Sequence, residues 1–408
     1  MSGRTISRRT FVIGAALGTG TVALGGTLWR EAFTTQEPPS TESARGPSVV
    51  PAPTGKSPYG PLWPADASGV MLPQGFTSRV VARSGHRVAG TSYTWHDAPD
   101  GGACFGDGTG WIYVSNSEVE STGGVGALRF AADGRVRDAY RILYGTNRNC
   151  AGGATPWGTW LSCEEVSAGY VFETDPYGVQ AAARRPAMGR FTHEAAAVDP
   201  ERTCIYLTED EPDGCFYRFT PTRWPELSAG RVDALVAEQD ATNCPVSWRT
   251  VSDPSGATGP TREQVGGAKR FAGGEGCHYS DGICWFTTKD DNRVWRYDAS
   301  AQTIALAYDA ALASGPAPLT GVDNITGTAS GDLFVAEDGG NMEIGVIPPD
   351  GVVAPFLRVV GHSSSEITGP AFSPDGSRLY FSSQRGSGGS SSGGITYEVR
   401  GPFRPVAG

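Results

Sequence analysis

The sequence predicts an all-β fold: a six-bladed β-propeller with an insertion between the third and fourth blades. Three observations predict it. Gly and Pro, at 57 and 29 residues, punctuate the chain too often for long helices. Asp-Gly occurs eight times, at Asp100, Asp107, Asp133, Asp213, Asp281, Asp338, Asp350 and Asp375. Between apolar runs this dipeptide marks a hairpin, because both residues tolerate positive φ. Finally, a triplet of short β-rich runs recurs six times, its starts about 40 to 50 residues apart except for one gap of about 80. Units of three to four strands at this period are propeller blades.

The N-terminus is read separately from the fold. Ser7-Arg8-Arg9-Thr10-Phe11 lies in a basic region, and no charged residue follows from Val12 to Trp29. A basic region before a short apolar one is a targeting segment. The arginine pair followed by Phe points to the twin-arginine route. The apolar stretch is rich in Gly and makes a poor bilayer span. No clean cleavage site follows, so a cut signal and an uncleaved anchor both stay open. Residues 1–31 are therefore assigned to the signal and 32–70 to a tether rich in Pro, Ser and Thr. Residues 71–408 are assigned to the propeller. The expected partner is the twin-arginine export machinery, and the expected location is periplasmic, cell-surface or extracellular.

Each blade follows in order. Gly102–Phe105 leads to Trp111–Ser115 and Gly126–Phe130. Ala151–Ala154 leads to Thr159–Glu164 and Tyr170–Glu173. Glu194–Val198 leads to Cys204–Thr208 and Cys215–Phe219. Glu275–His278 leads to Ile283–Thr287 and Arg293–Tyr297. Asn324–Gly327 leads to Asp332–Ala336 and Met342–Val346. Glu366–Gly369 leads to Arg378–Ser382 and Ile395–Val399. The long gap carries Pro221 to Gly267, read as an insertion over one face. The run Phe76 to Arg83 precedes the first repeat and is expected to pair with the last blade. That closes the ring and removes open edges.

Composition excludes some functions. The formal net charge is −10, and without the signal the chain holds 29 basic and 42 acidic residues. Bulk acidity without a basic patch argues against nucleic acid. Eight cysteines suit an exported protein but are too sparse for a disulfide scaffold. Cys204 with Cys215, and Cys277 with Cys284, flank turns and could each bridge a hairpin. Two motifs are decoys. Thr54-Gly55-Lys56-Ser57 ends like a phosphate loop, but Val50 stands where the loop needs Gly. Gly389–Gly393 fits G-x-S-x-G, but it lies in a Gly/Ser run with no helix after it.

The informative chemistry is acidic. The first strand of a blade lines the central channel, and Glu194, Glu275, Asp323 with Asn324, and Glu366 fall there. Converging carboxylates repel one another and need cations or raised pKa values. More acid recurs where the inner hairpins end: Cys163-Glu164-Glu165, Glu209-Asp210-Glu211, Lys289-Asp290-Asp291 and Glu337-Asp338. Carboxylates suit hard cations such as Ca²⁺, and a thiolate among them suits a transition metal. A mixed site of iron and calcium is chemically coherent.

Three segments carry a resemblance. They are Asn149 to Glu165 (NCAGGATPWGTWLSCEE), Gly189 to Val198 (GRFTHEAAAV) and Leu207 to Glu211 (LTEDE). The chain resembles the PhoX-type alkaline phosphatases over most of residues 70–400. The resemblance implies twin-arginine export and a propeller holding iron (Fe³⁺) and Ca²⁺. It also implies hydrolysis of small phosphate monoesters. Carried over by position, Cys163 would be an iron ligand, the alternative being a disulfide with Cys150. Glu194, Asp210, Glu275, Asp323 and Glu366 would be further metal ligands. Arg385 and Arg148 would contact phosphate. No activated Ser or Thr stands out, so the metals would supply the nucleophile. His193 is read as structural, and the protein is expected to be monomeric. Two other classes fit a propeller of this kind. One is a calcium-dependent hydrolase of the lactonase or phosphotriesterase type. The other is a non-catalytic, calcium-stabilised binding propeller.

Overall fold

Each repeat folds into one antiparallel sheet in the computed structural model, which describes residues 55–313 and 315–405. The signal assigned to residues 1–31 lies outside the described residues. Six sheets are present. Blade one is built from Pro99–Asp107, Gly110–Ser117, Gly123–Phe130 and Val136–Thr146. Blade two comprises Asn149–Ala154, Trp160–Glu164, Val171–Thr174 and Ala183–Arg184. Blade three begins His193–Asp199, Cys204–Glu209, Phe216–Arg223 and Glu226–Val236. Gly274–Ser280, Ile283–Thr288, Arg293–Asp298 and Thr303–Asp309 form blade four. Blade five holds Val322–Gly327, Leu333–Glu337, Glu343–Ile347 and Ala354–Val359. Ile367–Phe372, Arg378–Ser383 and Ile395–Arg400 begin blade six. Helix among the described residues is limited to four short 3-10 turns, none long and apolar enough to cross a membrane.

Ring closure follows the expected route. Thr77–Arg83 pairs antiparallel with Ile395–Arg400 and becomes the outer strand of blade six. Arg79 fastens the joint by a 2.8 Å ion pair to the buried Glu398.

Two expectations are corrected. The stretch from Pro221 to Gly267 is mostly not a cover over one face. Glu226–Val236 is the fourth strand of blade three, Ser247–Thr250 adds a fifth, and Asn243–Pro245 adds an outer strand to blade four. These outer strands lack alternation: Glu226–Val236 runs exposed over Ser228–Arg231 and then buried over Val232–Leu235, and Asn243–Pro245 and Ser247–Thr250 are short and mostly exposed. The tether also ends before residue 70. Val70–Met71 pairs with Ala354–Val359. The Tyr59 ring packs on Phe76, Phe356, Phe334 and Phe403, and its hydroxyl donates to Asp332 at 2.8 Å. Isolated aromatic residues in a Pro-rich stretch have no period to reveal this packing.

The core is divided among the blade interfaces. Trp111, Tyr113 and Phe130 of blade one meet Tyr380 of blade six, and Leu161, Cys163 and Val171 of blade two meet Leu207 and Tyr217 of blade three. Between blades three and four, Phe216 stacks on Phe286 with centroids 4.2 Å apart. An aromatic pair of this kind adds about 1 kcal/mol beyond the area it buries. Every sheet face is thus buried against a neighbour, which leaves the channel as the place where polar inner-strand residues converge.

All eight cysteines are free thiols. The two suggested hairpin bridges are absent, although the Cys277 and Cys284 sulfurs lie 3.2 Å apart.

Candidate metal centre

The site is generated by one irregularity repeated in every blade. In each inner hairpin the pairing register shifts just after the inner strand begins. A bulge of this sort re-aims the side chains that it carries. The first residue inside the shift is Asp100, Cys150, Glu194, Glu275 and Asp323 in blades one to five, and Gly369 in blade six, where the shift comes one residue later. The second is Gly101, Ala151, Ala195, Gly276, Asn324 and Pro370. In blades one to four the second residue is Gly or Ala, because the inner strands nearly touch. A Cβ on Gly101 would lie 2.5 Å from the Ala151 Cα, and one on Gly276 would lie 2.7 Å from the Asn324 Cα.

A second position repeats at the end of each inner hairpin. The residue after the second strand is Glu118, Glu165, Asp210, Lys289, Asp338 and Gln384 in the six blades. Its backbone N–H donates to the residue before the inner strand: Ala98, Arg148, Thr192, Gly273, Gly321 and Glu366 respectively. These positions bring four groups of ligand atoms together, each within 4.8 Å. They are Asp100, Glu118 and Cys150; Cys150, Glu165 and Glu194; Glu194, Glu275 and Asp323; and Asp323, Asp338 and Glu366. Shared members join the groups into an arc around the axis.

Of the residues expected as ligands, the structure brings together Glu194, Glu275, Asp323 and Glu366. Asp210 stands at the edge, beside Glu165 and 4.0 Å from the Lys289 ammonium. Cys163 is corrected. It lies on the second strand of blade two, fully buried among Leu161, Val171 and Leu207 between two sheets, and burial pushes its thiol well up. Cys150 is the thiol of the arc.

Asp100, Glu118 and Cys150 went unrecognised as ligands. The repeat as read began blade two at Ala151. Starting it one residue earlier sets Cys150 against Glu194 and Glu275. In three of the four acidic runs the first two carboxylates divide the work. The first braces the loop: Glu164 accepts from the Asn147 and Tyr170 N–H groups, Glu209 from Cys215, and Glu337 from Thr320. The second, Glu165, Asp210 or Asp338, turns to the axis.

Electrostatics make the arc costly without a cation. Burial and then neighbouring carboxylates raise the pKa values of Asp100, Glu194 and Glu366 well above the carboxylate range. Glu275 is raised by burial and Asp323 despite its ion pair with Lys289. Asp323 is pushed up to about 7 by burial, and Glu165 to about 9 by burial and Glu118. Burial, Asp100 and Glu194 raise the Cys150 thiol as well. Both carboxylate oxygens of Glu194 are buried without a hydrogen-bond partner. An unpaired buried carboxylate is heavily penalised, so this donor set fits a bound metal.

Polar neighbours hold the arc in place. Gln384 donates to Asp100 Oδ2 at 2.5 Å and Glu118 Oε2 at 2.7 Å. Asn324 donates to Asp323 at 2.7 Å. Arg148 pairs with Glu118 and Glu165 at 2.8 and 3.0 Å, and Arg385 pairs with Glu366 at 2.7 Å. Both guanidiniums are partly exposed at the rim. His193 faces away, with Nε2 3.1 Å from the Gly189 carbonyl and its ring against Phe191. Burial holds its pKa down at about 4. Two concavities of about 250 and 330 Å³ lie off the axis, and neither is lined by a residue of the arc.

Fold and site together define a β-propeller with an axial, thiol-bearing acidic centre able to hold metal. The family model for the alkaline phosphatase PhoX matches residues 121–168 and 166–386. The chain belongs to the PhoX alkaline phosphatase family and is a phosphoric monoester hydrolase. Its fold is similar to that of Pseudomonas fluorescens PhoX in complex with vanadate, a transition state analogue. That protein is 17% identical, with a TM-score of 0.67 over 83% of this chain and 97% of the other. A Bacteroides thetaiotaomicron protein of unknown function has a TM-score of 0.52 at 10% identity, covering 80% of this chain and 76% of its own. A search of curated proteins finds no match.

Proposed function

We propose that this phosphatase is exported by the twin-arginine route and hydrolyses small phosphate monoesters at a centre of iron and calcium. The observation that carries the metal reading is Glu194, whose two buried, unpartnered oxygens stand between a thiol-containing group and an all-carboxylate group. Cys150 with Glu165 and Glu194 would hold iron, since a thiolate among carboxylates suits a transition metal. The all-oxygen groups around Asp323 suit Ca²⁺. Bound there, the metals would supply Lewis-acid charge to the phosphoryl oxygens and lower the pKa of water.

The chain's own residues do the remaining work. Arg148 and Arg385 stand partly exposed at the rim, where the guanidinium donors not held by their carboxylate partners would contact phosphate. Their ion pairs with Glu118, Glu165 and Glu366 aim the guanidiniums before substrate arrives. Preorganised charge of this kind is what stabilises a phosphoryl-transfer transition state. Gln384 and Asn324 keep their carboxylates oriented.

Export is supported by Ser7-Arg8-Arg9-Thr10-Phe11 and the uncharged stretch after it. The test is elemental analysis of the purified protein, with hydrolysis of an aryl phosphate followed in iron and calcium. Absence of iron together with no turnover would sink the reading. Cell fractionation of an Arg8→Lys, Arg9→Lys variant tests the route, and unchanged export would refute it.

A further inference from the structure

The residue that ends the inner hairpin is acidic in four blades and Gln384 in the sixth. In the fourth it is Lys289. In blades one and two this residue completes a ligand group with the bulge residues of its own blade and the next: Asp100, Glu118 and Cys150, then Cys150, Glu165 and Glu194. In blade five Asp338 joins Asp323 to Glu366. The corresponding set in blade four is Glu275, Lys289 and Asp323. There the third member is a cation rather than an acid. The ammonium lies 2.6 Å from Glu275 Oε1, 3.8 Å from Asp338 and 4.0 Å from Asp210. Glu275 Oε1 finds no geometrically acceptable hydrogen bond, so the contact is an ion pair and the benefit is charge. Lysine is also rare in this chain, which has three in all: Lys56, Lys269 and Lys289.

We propose that Lys289 is a tethered cation that takes the place of one metal ion at the fourth position of the arc. The inference rests on the metal-centre reading above. An ammonium neutralises carboxylates as a compact point charge on a flexible stem, but offers no exchangeable coordination position. Glu275 of blade four and Asp323 of blade five would therefore serve the group they share with Glu194, while the position Lys289 fills stays closed to metal. The centre then carries one fewer divalent ion than its ring of acids would otherwise take.

The test is calcium stoichiometry by equilibrium dialysis of the full chain with ⁴⁵Ca²⁺, for the wild type, Lys289→Glu and Lys289→Gln. Lys289→Glu restores the acid found in four other blades, and it is expected to bind one more Ca²⁺ per chain than the wild type. Lys289→Gln keeps the volume and removes the charge, and it is expected to tighten the weakest calcium site at least about tenfold. Should Lys289→Glu fail to fold, the Lys289→Gln titration decides alone. Equal stoichiometry in folded Lys289→Glu and wild type overturns the proposal, as does an unchanged calcium titration of Lys289→Gln. Wild type that binds metal beside an unchanged variant refutes the role of Lys289 alone. Failure of all three proteins to bind metal refutes the metal centre, and the proposal with it.

Discussion

Cys150 and Glu194 occupy the same bulge position in neighbouring blades, and their ligand atoms lie within 4.8 Å of each other. Each points at the axis because the inner strand shifts register there. Thirteen residues after Cys150, Cys163 lies on a regular strand and faces the core between blades two and three.

The two thiols therefore have separable roles. Cys150→Ala is expected to remove iron and activity together, and to melt below the wild type because a bound cation is lost. Cys163→Ala is expected to keep metal and turnover but to lose about 1 kcal/mol of stability from the small cavity it leaves. Elemental analysis, an aryl phosphate assay and thermal melts distinguish them. Iron lost from Cys163→Ala and retained by Cys150→Ala would reverse the assignment.

The rim arginines should appear in kinetics rather than in metal content. Arg385→Ala and Arg148→Ala are each expected to lower kcat/KM by about 10- to 100-fold, the worth of one or two charged hydrogen bonds. Metal loading should be unchanged, since neither guanidinium is a ligand. Steady-state kinetics beside elemental analysis checks both statements.

Removing metal should make stability depend on pH with a definite sign. Asp323 is raised from 3.8 to about 7, and Glu165 from 4.5 to about 9. Between the unfolded and folded values the folded state holds more protons than the unfolded chain, so stability falls as pH rises. Metal-stripped protein is therefore expected to melt lower at pH 9 than at pH 5. Calcium should raise the melting temperature more at pH 9, because a bound cation replaces the protons. A calcium effect that is larger at pH 5 would contradict the burial of these carboxylates.

The propeller should require residues ahead of its first blade. A chain beginning at residue 72 lacks Tyr59 and the Val70–Met71 strand and is expected to melt well below one beginning at residue 55. Tyr59→Ala in the full chain should cost about 2 kcal/mol, from loss of its apolar contacts with Phe76 and Phe356. Equal melting of the two truncated chains would return residues 55–71 to a tether.

The sequence by itself determined the blade count, the inner hairpins and the closing strand. These follow from local signals: the period of the β-rich runs, the Asp-Gly turns, and the Phe76 to Arg83 run before the first repeat. It also carried Glu194, Glu275, Asp323 and Glu366, because acid at the start of an inner strand recurs from blade to blade. Only the tertiary structure decided which sulfur and which acid of each pair face the axis. A bulge re-aims a side chain by one position, and one position separates Glu164 from Glu165 and the start of the repeat at Ala151 from Cys150. Strand periodicity of two cannot see a register shift whose effect is to break that period. Tertiary structure likewise decided which residue of the Lys289-Asp290-Asp291 run takes the ring position of Glu118, Glu165, Asp210 and Asp338. The run was legible in sequence as a hairpin end, but the strand register that selects Lys289 rather than Asp290 or Asp291 was not.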